Sequence, residues 1–291
     1  MQLETGDQLE AGGQLEAGGR LEAGQRDREW FSALTVPAGM WAIIRVDGRG
    51  FSRMTEERFD KPFDERVHAH MIAAARELMA DLGAIYGCTH GDEISVLLAP
   101  SSDLFGRSAE RLVSVAAGIA SAAFSIDAGF AACFDARTWI GAGLPDVLDY
   151  YAWRQADATR SALGTCCYWT LRQAGYTGRQ ATAAMKGAGP GQLAGLLAGH
   201  GVSFGDLPAW QRHGAGLYWD TAGTAGSDPR GGQETSARRR PLRIDDELPC
   251  GPEYRALIAS IARPAAEPPP RPAAGPAGPA RAREDGSRPG A

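Results

Sequence analysis

Apolar and polar residues along the first half of the chain fall into blocks that predict a run of ordered elements. Ala42-Ile43-Ile44 is a short apolar run that ends at Asp47, and β-branched side chains fit a pleated, half-buried surface. From Asp64 to Leu82, the residues Val67, Met71, Ala75, Leu78 and Leu82 recur at the spacing of a helix with one buried face. Ile85-Tyr86-Gly87-Cys88-Thr89 and Ile94-Ser95-Val96-Leu97-Leu98 read as the two strands of a hairpin around His90-Gly91-Asp92-Glu93. A second amphipathic stretch, from about Leu104 to Phe124, precedes a strand expected over Ile126 to Phe134. Strand, helix, hairpin, helix, strand is the βαββαβ order of a ferredoxin-like sheet, so the expected class is α+β. In that topology the first and third strands lie side by side and antiparallel. Asp47, ending one, should then face Asp92, beginning the other.

The rest of the chain changes character. A helical segment is expected from about Asp149 to Leu207, and Leu217-Tyr218-Trp219 and Pro241-Leu242-Arg243-Ile244 resemble two strands joined across an insertion. Gln2-Leu3-Glu4, Gln8-Leu9-Glu10, Gln14-Leu15-Glu16 and Arg20-Leu21-Glu22 repeat every six residues with glycines between. That period suits neither a heptad nor a packed helix. Residues 1–25 are therefore expected to be disordered, as are the Gly/Ser/Thr/Arg-rich insertion 221–240 and the Pro/Ala/Gly/Arg-rich tail 264–291. Between them lie a catalytic sheet domain over 26–148 and a helical and C-terminal part of the same fold over 149–263.

Charge and cysteine content narrow the class. The net charge of −5 is not that of a protein that coats nucleic acid by broad electrostatics, although it leaves room for a local patch. Arg107 and Arg111 lie one turn apart on a predicted helix, and Arg154, Arg160 and Arg172 follow; these are candidates for phosphate contact. Cys88, Cys133, Cys166, Cys167 and Cys250 show no Cys-x-x-Cys spacing, so neither a zinc site nor a disulfide framework is suggested, and they read as small buried hydrophobes. No uninterrupted apolar run of about 20 residues and no basic-then-apolar leader is seen, so a cytoplasmic protein without a membrane span is expected.

Two acidic clusters carry the chemistry: Arg45-Val46-Asp47-Gly48-Arg49-Gly50-Phe51 and His90-Gly91-Asp92-Glu93-Ile94-Ser95. Carboxylates brought together repel unless a cation neutralises them or one takes a proton. Magnesium does so with few protein ligands and leaves positions for phosphate oxygens and water. A pair of such ions can activate an attacking oxygen and stabilise departing pyrophosphate. Gly48 and Gly50 allow the backbone to approach a triphosphate, and Arg49, Arg53 and Lys61 could balance its charge.

These motifs, with Lys61-Pro62-Phe63-Asp64, Tyr151-Ala152-Trp153-Arg154-Gln155-Ala156-Asp157 and Cys167-Tyr168-Trp169-Thr170-Leu171-Arg172, together resemble the tRNA-histidine guanylyltransferase family, over about Trp41 to Trp219. The resemblance implies a polymerase-like palm that adds nucleotides to the 5′ end of tRNA in the 3′-to-5′ direction. It implies that Asp47, the Gly48 carbonyl and Asp92 hold two magnesium ions, with Glu93 supporting or ligating them. Asp47, Gly48, Arg49, Gly50, Phe51 and Ser52, with Gly91 and Asp92, would cradle the nucleotide, and Lys61 would meet its phosphates. ATP would activate a 5′-monophosphorylated tRNA, and the 3′-hydroxyl of GTP would attack it. A homotetramer, as a dimer of dimers, is likewise implied.

One block departs from the family pattern. Eukaryotic members have His-Ile-Asn-Asn-Leu-Tyr-Asn where this chain has Thr159-Arg160-Ser161-Ala162-Leu163-Gly164-Thr165. The loss resembles the bacterial and archaeal branch, which prefers templated addition, so 5′-end repair stands beside guanosine addition to histidine tRNA. The alternative from another class is a nucleotidyl cyclase, which also presents Gly-Asp-Glu in such a hairpin. Those enzymes have a second glycine where His90 stands here.

Overall fold

In a computed structural model, residue 25 and residues 28–220 and 241–266 of the chain are described. The three segments expected to be disordered lie almost wholly outside them. Strand β1 (Trp41–Gly48) is followed by helices α1 (Phe51–Arg58) and α2 (Glu65–Asp81), then by the hairpin β2 (Tyr86–His90) and β3 (Glu93–Leu98). Helix α3 (Ala109–Ala128) leads to β4 (Phe134–Gly141) and the long α4 (Leu144–Gln173). Helices α5 (Gly178–Met185), α6 (Pro190–Gly199) and α7 (Ala209–His213), strands β5 (Ala215–Trp219) and β6 (Leu242–Asp245) and helix α8 (Pro252–Ala266) complete the chain.

The six strands form one sheet in the order β4-β1-β3-β2-β5-β6, and every neighbouring pair is antiparallel. The fold is thus a mixed α/β protein built on an antiparallel sheet. Helices cover both faces, which explains why β1 and β3 are apolar almost throughout rather than alternating. Ile44, Val46, Ile94 and Val96 pack with Met71, Leu78, Leu112, Ala116 and Phe124 of α2 and α3. Trp41, Ile43, Tyr86 and Leu97 pack with Val147, Tyr151, Tyr254 and Ile258 of α4 and α8 on the opposite side. Each Leu- or Phe-sized side chain so buried contributes about 1.5–3 kcal/mol.

Several expectations shift. The strand expected over Ile126–Phe134 is instead the end of α3, closed by Gly129 at φ 75°, and the strand begins at Phe134. A short apolar run such as Ile126–Phe134 does not reveal its period, so helix end and strand fit it equally. Two helices, α1 and α8, stand where none was expected, and α8 reaches Ala266, into the stretch assigned to the tail. The segment 149–207 is not one helix: α4 begins at Leu144 and ends before Gly175 at φ 93°, α5 and α6 follow, and α7 begins only at Ala209. Cys133 and Cys250 are exposed, not buried. By length and composition α3 could cross a membrane; here its stripe of Leu112, Ala116, Ala120 and Phe124 is buried in the core.

Candidate active site

The site forms where β1 ends against the β2–β3 turn. Asp47 is the register partner of Glu93, and Asp92 precedes Glu93 in the turn, its carbonyl accepting from the Gly48 N–H at 2.9 Å. The sheet therefore fastens the two acidic segments directly to each other. Gly91 adopts φ +56°, a left-handed conformation that glycine takes without steric cost, which turns the chain tightly before Asp92. Gly48 is required for space: a Cβ there would lie 2.4 Å from the Phe51 ring, which is itself packed against Phe124 and Phe134. After Gly50, α1 starts with no acidic residue in its first turn, leaving amide donors suited to an anion.

Electrostatics mark the two aspartates. Asp92 is pushed up to about 6, by burial first and the charge of Asp47 second, with Lys61 opposing. Asp47 is raised by burial and then by Glu93, against Arg137 and Arg45. Among the described residues neither aspartate has an ion pair, whereas Glu93 is fully engaged. Arg154 donates from Nε to its Oε1 at 2.8 Å and from Nη2 to its Oε2 at 2.6 Å, and Arg45 stands 3.7 Å away. His90 is held down to about 4, by burial and then by Arg154, and is neutral at pH 7.

Beside the turn opens a cavity of about 380 Å³ bounded by α1, Lys61, Asp64, His68, Gly91, Asp92, α4 and α7. Lys61 donates from Nζ to Thr55 Oγ1 at 2.5 Å and lies 5.8 Å from the centre of the Trp169 ring. Burial lowers its pKa, opposed by Glu56, Asp64 and Asp92. Trp210 stacks on His68 at 4.3 Å between ring centres and closes one side.

The sequence-predicted residues are thus sorted. Phe51, Ser52, Lys61, Gly91 and Asp92 line the cavity; Asp47 and Gly48 adjoin it through the Asp92 contact. Arg49 is tied by its amide to the Cys133 carbonyl at 2.8 Å. The arginines proposed for phosphate behave differently. Arg107 spends its guanidinium on the carbonyls of Val36, Pro100, Ser102 and Met40, Arg154 on Glu93, and Arg160 on Asp157 at 2.6 Å. Arg111 is exposed, over Phe105 at 4.8 Å, and among the described residues it enters no ion pair. Sequence reasoning missed His68 and Trp210, whose contact joins distant segments and leaves no local signal. It also missed that Ser161, Ala162, Thr165, Tyr168 and Trp169 share one cavity-facing stripe of α4, for which their spacing of three to four was a usable sign.

Fold and site together define an antiparallel-sheet protein that gathers two half-buried aspartates, without an ion pair among the described residues, and one lysine at the mouth of a cavity. Two family profiles match: that of tRNAHis guanylyltransferase over residues 25–140 and that of the Thg1 C terminal domain over residues 145–246. The chain belongs to the tRNAHis guanylyltransferase family. It is 35% identical over 157 residues to the tRNA(His) guanylyltransferase of Debaryomyces hansenii, covering 48% of this chain and 58% of the relative. It is 29% identical over 191 residues to the probable tRNA(His) guanylyltransferase of Drosophila melanogaster, covering 60% and 65%. The chain thus spans less than two thirds of either relative. Its fold is that of a bacterial tRNA(His) guanylyltransferase (Thg1)-like protein solved in complex with ATP, at TM-score 0.66 and 22% identity over 84% of this chain and 99% of that one. The tRNA(His) guanylyltransferase of Saccharomyces cerevisiae is similar at TM-score 0.59 and 22% identity, over 65% and 90%.

Proposed function

We propose that this protein is a nucleotidyltransferase that adds GTP-derived nucleotides to the 5′ end of tRNA in the 3′-to-5′ direction. The sheet β4-β1-β3-β2 with α2 and α3 on one face is read as a ferredoxin-like, polymerase-type palm. The observation that carries the reading is the closeness of Asp47 to Asp92 beside Lys61: both carboxylates are raised by burial and neighbouring acidic charge, Glu93 for Asp47 and Asp47 for Asp92, and among the described residues neither enters an ion pair. Relatives named as tRNA(His) guanylyltransferases and similar structures solved with ATP and with GTP support it.

The donor set suits magnesium. Among the described residues no three His, Cys, Asp or Glu side chains gather as a metal cluster, but magnesium is held by one or two carboxylates together with substrate phosphates. Asp47, Asp92 and the Gly48 carbonyl would hold two ions, which when bound would activate the attacking oxygen and neutralise charge on the leaving pyrophosphate. The chain's own residues do the positioning. Lys61, held by Thr55, offers its ammonium to the phosphates, and the amides that open α1 supply fixed donors. The cavity between Phe51 and Trp169 would take the nucleotide. Glu93, saturated by Arg154, holds the hairpin in place rather than ligating metal.

Addition is read as template-dependent. In the block 159–165, Thr159 bonds to the Gln155 carbonyl and to His213 and Arg160 to Asp157, so Ser161 and Thr165 are the polar side chains of the block left on the cavity wall. A cytoplasmic location and a dimer of dimers complete the proposal. Replacing Asp47 or Asp92 by Ala should abolish nucleotide addition while tRNA binding survives; turnover within about tenfold of wild type at saturating magnesium would refute the two-metal assignment.

A further inference from the structure

Between Asp157 and Asp206 the chain has no Asp or Glu, although acidic residues outnumber basic ones 35 to 30 overall. The same stretch carries Arg160, Arg172, Arg179 and Lys186. It begins as the α4 wall of the cavity and continues outward as α5 and α6. Arg172, in the last turn of α4, has Nη1 3.4 Å from the point a Cβ on Gly178 would occupy, so its guanidinium lies against the start of α5. Arg179 and Lys186 are exposed, and among the described residues neither enters an ion pair. Arg179 stands in the first turn of α5 and Lys186 caps its C-terminal end, so the two cations bracket the helix, about 10 Å apart along its axis.

An ordinary solvated helix intersperses both signs and gains from i,i+4 pairs; Arg160 is offset by Asp157, whereas among the described residues no acidic side chain pairs with Arg179 or Lys186. Unpaired positive charge just beyond a phosphate-handling cavity complements a polyanion whose end sits in that cavity. It also lets a protein of net charge −5 attract RNA locally. We propose that this acid-free face, centred on Arg179 and Lys186, docks the sugar-phosphate backbone of the tRNA whose 5′ end is extended at Asp47 and Asp92. The inference rests on the tRNA reading above and adds the surface that reading lacks.

The test is fluorescence anisotropy of a labelled 5′-truncated tRNA, titrated with the full chain at 50 to 200 mM KCl. For the variant Arg179→Glu/Lys186→Glu the expected result is affinity at least about tenfold weaker and a log Kd against log salt slope smaller by about two. Affinity for GTP should be unchanged. Arg179→Gln/Lys186→Gln, which only removes charge from exposed positions, should show the same slope change should the double reversal misfold. Wild-type affinity and slope in the folded variants would overturn this inference alone. A wild-type protein that binds GTP but no tRNA would instead overturn the proposed function. Binding of a labelled polyglutamate peptide to wild type that is lost in the variants, with tRNA binding intact, would assign the face to an acidic protein partner and overturn the RNA assignment.

Discussion

Arg154 grips Glu93 through both carboxylate oxygens, at 2.8 and 2.6 Å, and so ties α4 to the first residue of β3. Both side chains are 8% exposed. Removing Arg154 leaves Glu93 buried with only Arg45, 3.7 Å away, and removing Glu93 leaves Arg154 only Asp157 at 3.1 Å; breaking a buried pair costs about 3–5 kcal/mol, whereas replacing both members by apolar residues is often neutral. Arg154→Met should therefore lower the melting temperature more than Glu93→Leu/Arg154→Met does, measured without magnesium. Strictly additive losses would show that the pair does not act as a strut.

The pairing also marks the limit of what the sequence reveals. Asp47, Asp92 and Lys61 were legible because each sits in a local motif whose turn and strand chemistry can be read off neighbours. Glu93 and Arg154 looked equally chemical in sequence, a metal ligand and a phosphate contact, and only the packing of α4 on the sheet shows that they satisfy each other. Arg107 misled in the same way, since its four carbonyl acceptors come from 36 to 102 in the chain. The central β-hairpin was readable from its flanking turn. The start of β4 was not, because a glycine-terminated helix and a strand both fit Ile126–Phe134.

The raised pKa of Asp92 gives a pH signature. A carboxyl at about 6 in the folded state against about 4 unfolded binds more protons when folded, so its contribution to stability is lost as pH rises from about 4 through 6. His90, held down to about 4, acts oppositely over an overlapping range. The difference between Asp92→Asn and wild type isolates the aspartate. With magnesium chelated, the variant should match wild type near pH 4 and become the more stable protein above pH 6. A pH-independent difference would contradict the burial and repulsion assigned to Asp92.

Gly48→Ala would place a methyl group 2.4 Å from the Phe51 ring, an overpacking cost of about 1–3 kcal/mol. Thermal unfolding of the variant should show this loss, and Phe51→Leu in the same chain should recover part of it. A Gly48→Ala protein as stable as wild type would mean that Phe51 can move freely, against its tight packing with Phe124 and Phe134.

The composition of the 159–165 block predicts substrate choice. With few side-chain donors to hold an unpaired guanine, discrimination falls to hydrogen bonds between bases, and an unpaired base leaves polar edges unsatisfied. Guanosine should be added faster to histidine tRNA with cytosine at the discriminator position than with adenine there. Equal rates, or a preference for adenine, would refute templated addition.

The central claim is tested most directly by the product. The protein is incubated with magnesium, ATP and labelled GTP, with and without a tRNA lacking its first nucleotide, and the label is followed by electrophoresis and chromatography. The account predicts a tRNA extended at its 5′ end, dependent on both Asp47 and Asp92. Label in a cyclic nucleotide formed without tRNA, or no transfer under any condition, would contradict it.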